Sequence, residues 1–152
     1  MNIILGLLQA FIALGAMAGS FLLIKDPSGA ALGFPVSLLE GSIFPDFLVP
    51  GLFLFLVNGL GSLIGALFTF IKNRSAGPVA IALGVILVAW IFIQIIVIRS
   101  FLWIHALYIV LGLSELVLGV LVNRRQRNLG HFLAAFVPDH KAVCGGVIRS
   151  YL

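Results

Sequence analysis

Four long apolar stretches constrain the fold of this chain more than any other feature. They cover residues 2–24, 47–71, 78–98 and 101–122, and a helix of about 20 residues crosses the hydrocarbon core of a bilayer. With 62% hydrophobic and 9% charged residues, the chain carries too much apolar surface for a water-soluble domain of this size. We therefore predict an all-α integral membrane protein, a four-transmembrane-helix up-and-down bundle. One membrane domain covers residues 1–130, and residues 131–152 form a tail in the cytoplasm or on the membrane surface.

Charge distribution predicts how the helices are oriented. Seven of the nine Lys and Arg residues fall in the 72–77 turn or after the fourth helix, whereas Lys25 and Arg99 fall on the opposite side. Because basic loops stay in the cytoplasm, both termini of this multi-pass membrane protein are expected inside the cell. Ala16 and Ala18 form a signal-peptide-like A-x-A pattern, but the preceding "MNII" has no base. The first helix is therefore expected to be retained.

The connections between helices also carry recognisable signals. Asp46 precedes the second helix, where a carboxylate accepts free backbone amides, and Pro50 falls in the first turn, where a missing N–H costs least. Arg99 and Ser100 form a very short connection, so the third and fourth helices are expected to be antiparallel neighbours. The 22 residues from Lys25 to Asp46 could lie on the outer surface or enter the bundle.

Glu115 is the most informative polar residue, because a carboxyl near the bilayer centre costs on the order of 3 kcal/mol. At 1.5 Å per residue, Glu115, Gln9, Asn58 and Ser62 share a layer about 17–23 Å below the outer end. This layer is expected to form the floor of an outward-opening polar pocket, with other polar and aromatic residues nearer the rim. The predicted pocket residues are Glu115, Asn58, Ser62, Gln9, His105, Tyr108, Gln94 and Trp90. Alternatively, Glu115 only fixes helix register, and the histidine and tryptophans are interface anchors.

Small residues recur at helical spacing and predict close helix packing in lipid. The predicted packing positions are Gly61, Gly65, Gly112 and Gly119. The three histidines are scattered, so neither a metal site nor a cofactor is predicted, and no catalytic motif is visible. The single Cys144 excludes a two-cysteine redox site. The net charge of +4 lies at helix ends, so it does not predict nucleic-acid binding.

The sequence "FPDFLVPGL" at the start of the second helix, with "YIVLGLSELVLG" in the fourth, resembles an uncharacterised family of small bacterial four-helix integral membrane proteins. That family carries an F-x-D-[FY]-x-[IV]-P-G-L motif at this position. The resemblance implies a bacterial inner-membrane location and brings no established activity.

Three functions are compatible with these features. The first is non-enzymatic binding or conveying of a small lipophilic or protonatable ligand in the polar pocket. The second is an accessory or assembly subunit, which docks a membrane-protein partner or a second copy through its small-residue faces. The third is a membrane enzyme on a lipid-soluble substrate, and it ranks last because no second catalytic group is placed near Glu115 or His105.

Overall fold

The computed structural model describes the backbone of residues 1–136 and the side chains of residues 1–129. It confirms an all-α bundle of four helices that are long and apolar enough to cross a membrane. The helices are α1 (Asn2–Lys25), α2 (Leu48–Phe70), α3 (Ala76–Ile98) and α4 (Trp103–Phe136). The 26–47 loop and the α3–α4 turn lie at one end, here called the loop end. The start of α1, the α2–α3 turn and the part of α4 beyond Leu121 lie at the other, here called the basic end.

Helices α3 and α4 are antiparallel, and their backbones are in direct contact at glycine residues. A Cβ built on Gly84 would lie 2.8 Å from the Gly112 carbonyl oxygen, and one built on Gly119 would lie 2.9 Å from the Ile81 amide nitrogen. Helices α1 and α2 are also antiparallel, because Gly6 faces Phe70 while Gly51 faces Leu23. Successive helices therefore run in alternate directions, as the sequence predicted.

Helix α2 is irregular in its first half. As expected, Asp46 accepts a hydrogen bond from the Leu48 amide through Oδ1 (2.9 Å), and Pro50 occupies the first turn. The helix then widens into a π-helical segment, Leu54–Leu60, before it returns to α-helix at Gly61. This segment, which contains Asn58, has no signal in the pattern of apolar residues and was not predicted.

Three buried apolar clusters divide the bundle into layers. The cluster at the basic end is Leu5, Ala80 and Val122; the middle cluster is Ile12, Leu87 and Ile91; the cluster at the loop end is Leu23, Leu39 and Phe47. The third cluster shows where the 26–47 loop lies relative to the bundle. Because Leu39 and Phe47 are buried against α1, the loop folds over the end of the bundle.

The start of this loop is organised by Asp26. Its carboxylate accepts hydrogen bonds from the Ser28 hydroxyl (2.6 Å) and from the amides of Ser28 and Ala31 (both 3.2 Å). The Ser28 hydroxyl, followed by these amides, lowers the pKa of Asp26 below its usual value. These bonds favour the ionised form of Asp26. They therefore stabilise the turn fully at pH values above the pKa that Asp26 has in the unfolded chain. This stabilisation is lost as the pH falls through the lower pKa of the folded protein.

We therefore expect the pH titration of the Ala31 amide resonance to have its inflection below about 3.9, the ordinary Asp value. An NMR titration of the protein in detergent micelles measures this shift. Asp26→Asn should abolish the inflection. An inflection at or above the ordinary value would contradict the assignment.

Helix α4 continues past Val122, where the sequence analysis ended it, to Phe136. Residues 123–129, "NRRQRNL", contain neither Pro nor Gly, and leaving the apolar layer does not require a helix to stop. The predictions for most of the tail, including Cys144, lie outside the described residues.

Candidate functional site

A buried polar cluster joins three helices between the layer of Leu5 and the layer of Ile12. The Gln9 Nε2 donates a hydrogen bond to Glu115 Oε1 (3.0 Å), which links α1 to α4. The Thr69 hydroxyl lies 2.7 Å from Gln9 Oε1 and 2.9 Å from the Gly65 carbonyl oxygen, so its hydrogen can serve either acceptor. The Gln9–Glu115 bond joins two residues that were predicted to lie in the same layer of the membrane. Thr69 was not among the predicted pocket residues.

This cluster is completely closed. Gln9, Thr69 and Glu115 are all 0% exposed. The second carboxyl oxygen of Glu115, Oε2, has no hydrogen-bond partner among the described residues. A buried polar group is costly unless it is paired, so the Gln9–Glu115 hydrogen bond favours the helix register in which these two residues meet.

Asn58 and Ser62 are buried on α2, but no hydrogen bond among the described residues joins either of them to Gln9 or Glu115. The amide nitrogen of Asn58 has no partner within residues 1–129. Since Asn58 lies in the π-helical segment, its direction differs from the one that a regular α-helix would give.

A cavity of about 160 Å³ lies between all four helices, nearer the loop end. Its walls are mostly apolar, and its polar lining residues are Gln94, His105 and Tyr108. The lining residues are Gly15, Ala16, Gly19, Leu23, Leu32, Phe34, Leu54, Leu87, Ile91, Gln94, Ile98, Ile104, His105 and Tyr108. Leu32 and Phe34 come from the 26–47 loop, so this loop contributes to the site. Neither residue was predicted, because the spacing of residues along a helix carries no information about a loop.

His105 is held at the start of α4 by its own backbone surroundings. Its Nδ1 accepts a hydrogen bond from the Leu102 amide (3.1 Å), and its ring lies against Phe101 with centroids 6.0 Å apart. A ring that accepts through Nδ1 carries its hydrogen on Nε2. His105 is therefore an oriented donor on the cavity wall.

Tyr108 reaches across the cavity to α1. Its hydroxyl occupies the space into which a Cβ on Gly15 would project. The absence of a side chain at Gly15 therefore sets the position of this hydroxyl.

Trp90 lies beside a second, smaller cavity of about 40 Å³, which it shares with Gln94. Its ring stacks on Phe53 with centroids 4.1 Å apart, and its indole nitrogen has no partner among the described residues. Gln94 lines both cavities, so they are neighbours.

The structure thus divides the predicted pocket into two sites. Gln94, His105 and Tyr108 line the larger cavity, whereas Gln9, Asn58, Ser62 and Glu115 are not among its lining residues. Ile12 and Leu87 pack together between the two sites, and Leu87 also lines the cavity. The carboxyl of Glu115 is therefore separated from the cavity by an apolar layer.

The predicted packing glycines all face helices of the same chain. A Cβ on Gly61 or Gly65 would meet Leu83, one on Gly112 would meet Val88, and one on Gly119 would meet the backbone of α3. These positions serve packing within the bundle. In the described part of the chain, no three His, Cys, Asp or Glu side chains come close enough together to hold a metal ion.

These features define an integral membrane four-helix bundle with a small, mostly apolar cavity and a separate buried carboxyl cluster. Comparison with protein-family models, curated proteins and solved structures finds no match for the chain. The resemblance to a family of small bacterial membrane proteins stays a prediction.

Proposed function

We propose that this protein binds a small lipophilic molecule in the cavity between its four helices. The observation that carries the proposal is the cavity itself: about 160 Å³, apolar on most of its wall and bordered by three polar residues. An apolar cavity of about 150 Å³ holds a benzene-sized molecule. Ligand sites typically combine apolar walls with a few placed polar groups.

The polar residues suggest the chemistry of the ligand. His105 Nε2–H, the Gln94 amide and the Tyr108 hydroxyl are all capable of donating a hydrogen bond. A small apolar molecule with one carbonyl or ether oxygen would match this lining. Glu115 does not line the cavity, so we assign it a structural role rather than direct ligand contact.

We place the loop end outside the cell membrane and both termini in the cytoplasm, in line with the distribution of Lys and Arg. In this orientation the cavity lies in the outer half of the bilayer. Lipophilic molecules concentrate in the membrane, so they would be available at this depth.

Filling the cavity tests the proposal. Gly19 lines it, and a Cβ at this position would meet only Leu54 Cδ2, at 3.9 Å. Gly19→Leu should therefore occupy the space without a backbone clash, whereas Ala18→Leu places the same side chain on an exposed face of the same helix.

Native mass spectrometry of gently extracted protein, before and after incubation with fluorobenzene, measures the bound species. We expect a small molecule on the wild type and on Ala18→Leu, and its loss from Gly19→Leu with unchanged helical content by circular dichroism. Equal occupancy in all three proteins, or no bound molecule on the wild type even with fluorobenzene, would refute the proposal.

A further inference from the structure

A groove at the basic end is independent of the cavity discussed above. Its volume is about 450 Å³, and it lies between the start of α1, the α2–α3 turn and α4. The lining residues are Met1, Asn2, Ile3, Lys72, Val122, Arg125, Gln126 and Leu129.

The groove is built by a defined contact between two elements. Gln126 Nε2 donates a hydrogen bond to the Asn73 carbonyl oxygen (3.0 Å), which ties α4 to the α2–α3 turn. The turn is itself closed by a hydrogen bond from the Asn73 amide to the Phe68 carbonyl oxygen (2.9 Å). The backbones of Lys72 and Arg125, each adjacent to one end of the Gln126–Asn73 contact, are therefore held on two sides of one groove.

The lining combines positive charge with apolar surface. Lys72 and Arg125 are its basic residues, and none of the described lining residues is Asp or Glu. Within residues 1–129, three carboxylates belong to the 26–47 loop at the opposite end, and Glu115 is buried inside the bundle. The two cations thus face the groove without a described carboxylate nearby, while Ile3, Val122 and Leu129 supply apolar walls.

We propose that this groove binds the headgroup phosphate of an anionic phospholipid. Guanidinium and ammonium groups are the usual protein partners of phosphate. A free phosphate ion would use the same two cations, but it would gain nothing from the three apolar residues. A phospholipid places its phosphate beside its glycerol and acyl chains, so it matches both parts of the lining. Basic pockets on the cytoplasmic side of transmembrane helices bind such headgroups.

The test compares two double variants with the same change in net charge. Lys72→Gln/Arg125→Gln removes the cations of the groove. Arg74→Gln/Arg124→Gln removes two exposed cations from neighbouring positions that do not line it. Each protein is reconstituted in phosphatidylcholine nanodiscs with a minor fraction of phosphatidylglycerol, released into gentle detergent, and analysed by native mass spectrometry for retained lipid.

We expect the wild type to retain phosphatidylglycerol in preference to phosphatidylcholine. Because each cation near an anionic lipid surface contributes about a fivefold factor in affinity, the groove variant should lose about 25-fold. The control variant keeps both cations of the groove, so it should retain several-fold more phosphatidylglycerol than the groove variant. Equal losses in the two variants would overturn the proposal, as would a wild type without lipid preference.

A second arm separates the lipid from a soluble anion. Inorganic phosphate is added to wild-type protein in phosphatidylcholine alone, and the thermal unfolding midpoint is followed. We expect no stabilisation from inorganic phosphate and a rise with phosphatidylglycerol. Equal stabilisation by both would overturn the assignment to a lipid. If the double variant does not fold, the single change Arg125→Gln, at an exposed position, gives the same comparison against Arg124→Gln.

Discussion

Replacing Gly84 by alanine is expected to destabilise the bundle, although alanine forms helices better than glycine. The added Cβ would lie 2.8 Å from both the Gly112 carbonyl oxygen and the Leu116 amide nitrogen. Both atoms belong to the backbone of α4, so neither can turn away as a flexible side chain would. Overpacking costs typically about 1–3 kcal/mol, and we expect the upper part of that range. This cost exceeds the about 1 kcal/mol that alanine gains over glycine in a helix interior.

The sign of the effect separates packing from helix propensity. Gly19→Ala makes the same chemical change in α1, where the nearest atom would be 3.9 Å away, so it should raise stability by up to about 1 kcal/mol. Unfolding titrations in mixed micelles with increasing sodium dodecyl sulfate measure both variants. If Gly84→Ala were as stable as Gly19→Ala, the close approach of α3 and α4 would not exist.

The second large effect is expected at Gln9, because Gln9→Leu removes the described partner of the Glu115 carboxyl. Leaving one member of a buried hydrogen-bonded pair without its partner costs about 1–3 kcal/mol, and more for a charged group. Thr69 retains the Gly65 carbonyl oxygen as its acceptor, so the loss falls mainly on Glu115. Glu115→Gln keeps an oxygen that can accept from Gln9, and we expect it to cost less than about 1 kcal/mol.

The double variant Gln9→Leu/Glu115→Leu completes the comparison. Replacing both partners by apolar groups of similar size is often nearly neutral, so the double variant should be more stable than Gln9→Leu alone. The same unfolding titrations on the wild type, Gln9→Leu, Glu115→Leu and the double variant give the interaction energy of the pair. If the two single effects simply added, the hydrogen bond between α1 and α4 would contribute nothing.

Most of the fold follows from features that the sequence displays directly. The four apolar stretches predict the helices to within a few residues, except at the end of α4, where no Pro or Gly marks the exit from the membrane. Alternating helix directions follow because consecutive membrane-spanning helices cross the bilayer in opposite directions, and Gln9 pairs with Glu115 at a similar depth in the bundle. These properties depend only on short stretches of sequence or on the position of a residue along the chain.

The division of the pocket could not be predicted in the same way. The position of a residue along its helix predicts its depth in the membrane but not the direction of its side chain across the bundle. The sequence therefore could not show that Ile12 and Leu87 meet between the two polar groups. The π-helical segment adds a second obstacle, because it changes the angular position of Asn58 relative to a regular helix. The loop residues Leu32 and Phe34 reach the cavity through tertiary folding that has no periodic signal.

The two turns that flank α3 have a further consequence for how the bundle sits in a membrane. Lys72 and Arg99 both adopt positive φ angles (54° and 53°), a conformation that costs a non-glycine residue about 1–2 kcal/mol. Glycine would relieve this strain, yet each position carries a long basic side chain. The two positions lie beyond opposite ends of α3, which itself contains no charged residue. Such cations extend to the polar interface and resist vertical displacement. Helix α3, which has no charged residue between these two cations, is therefore held at both interfaces when the bilayer thickness changes.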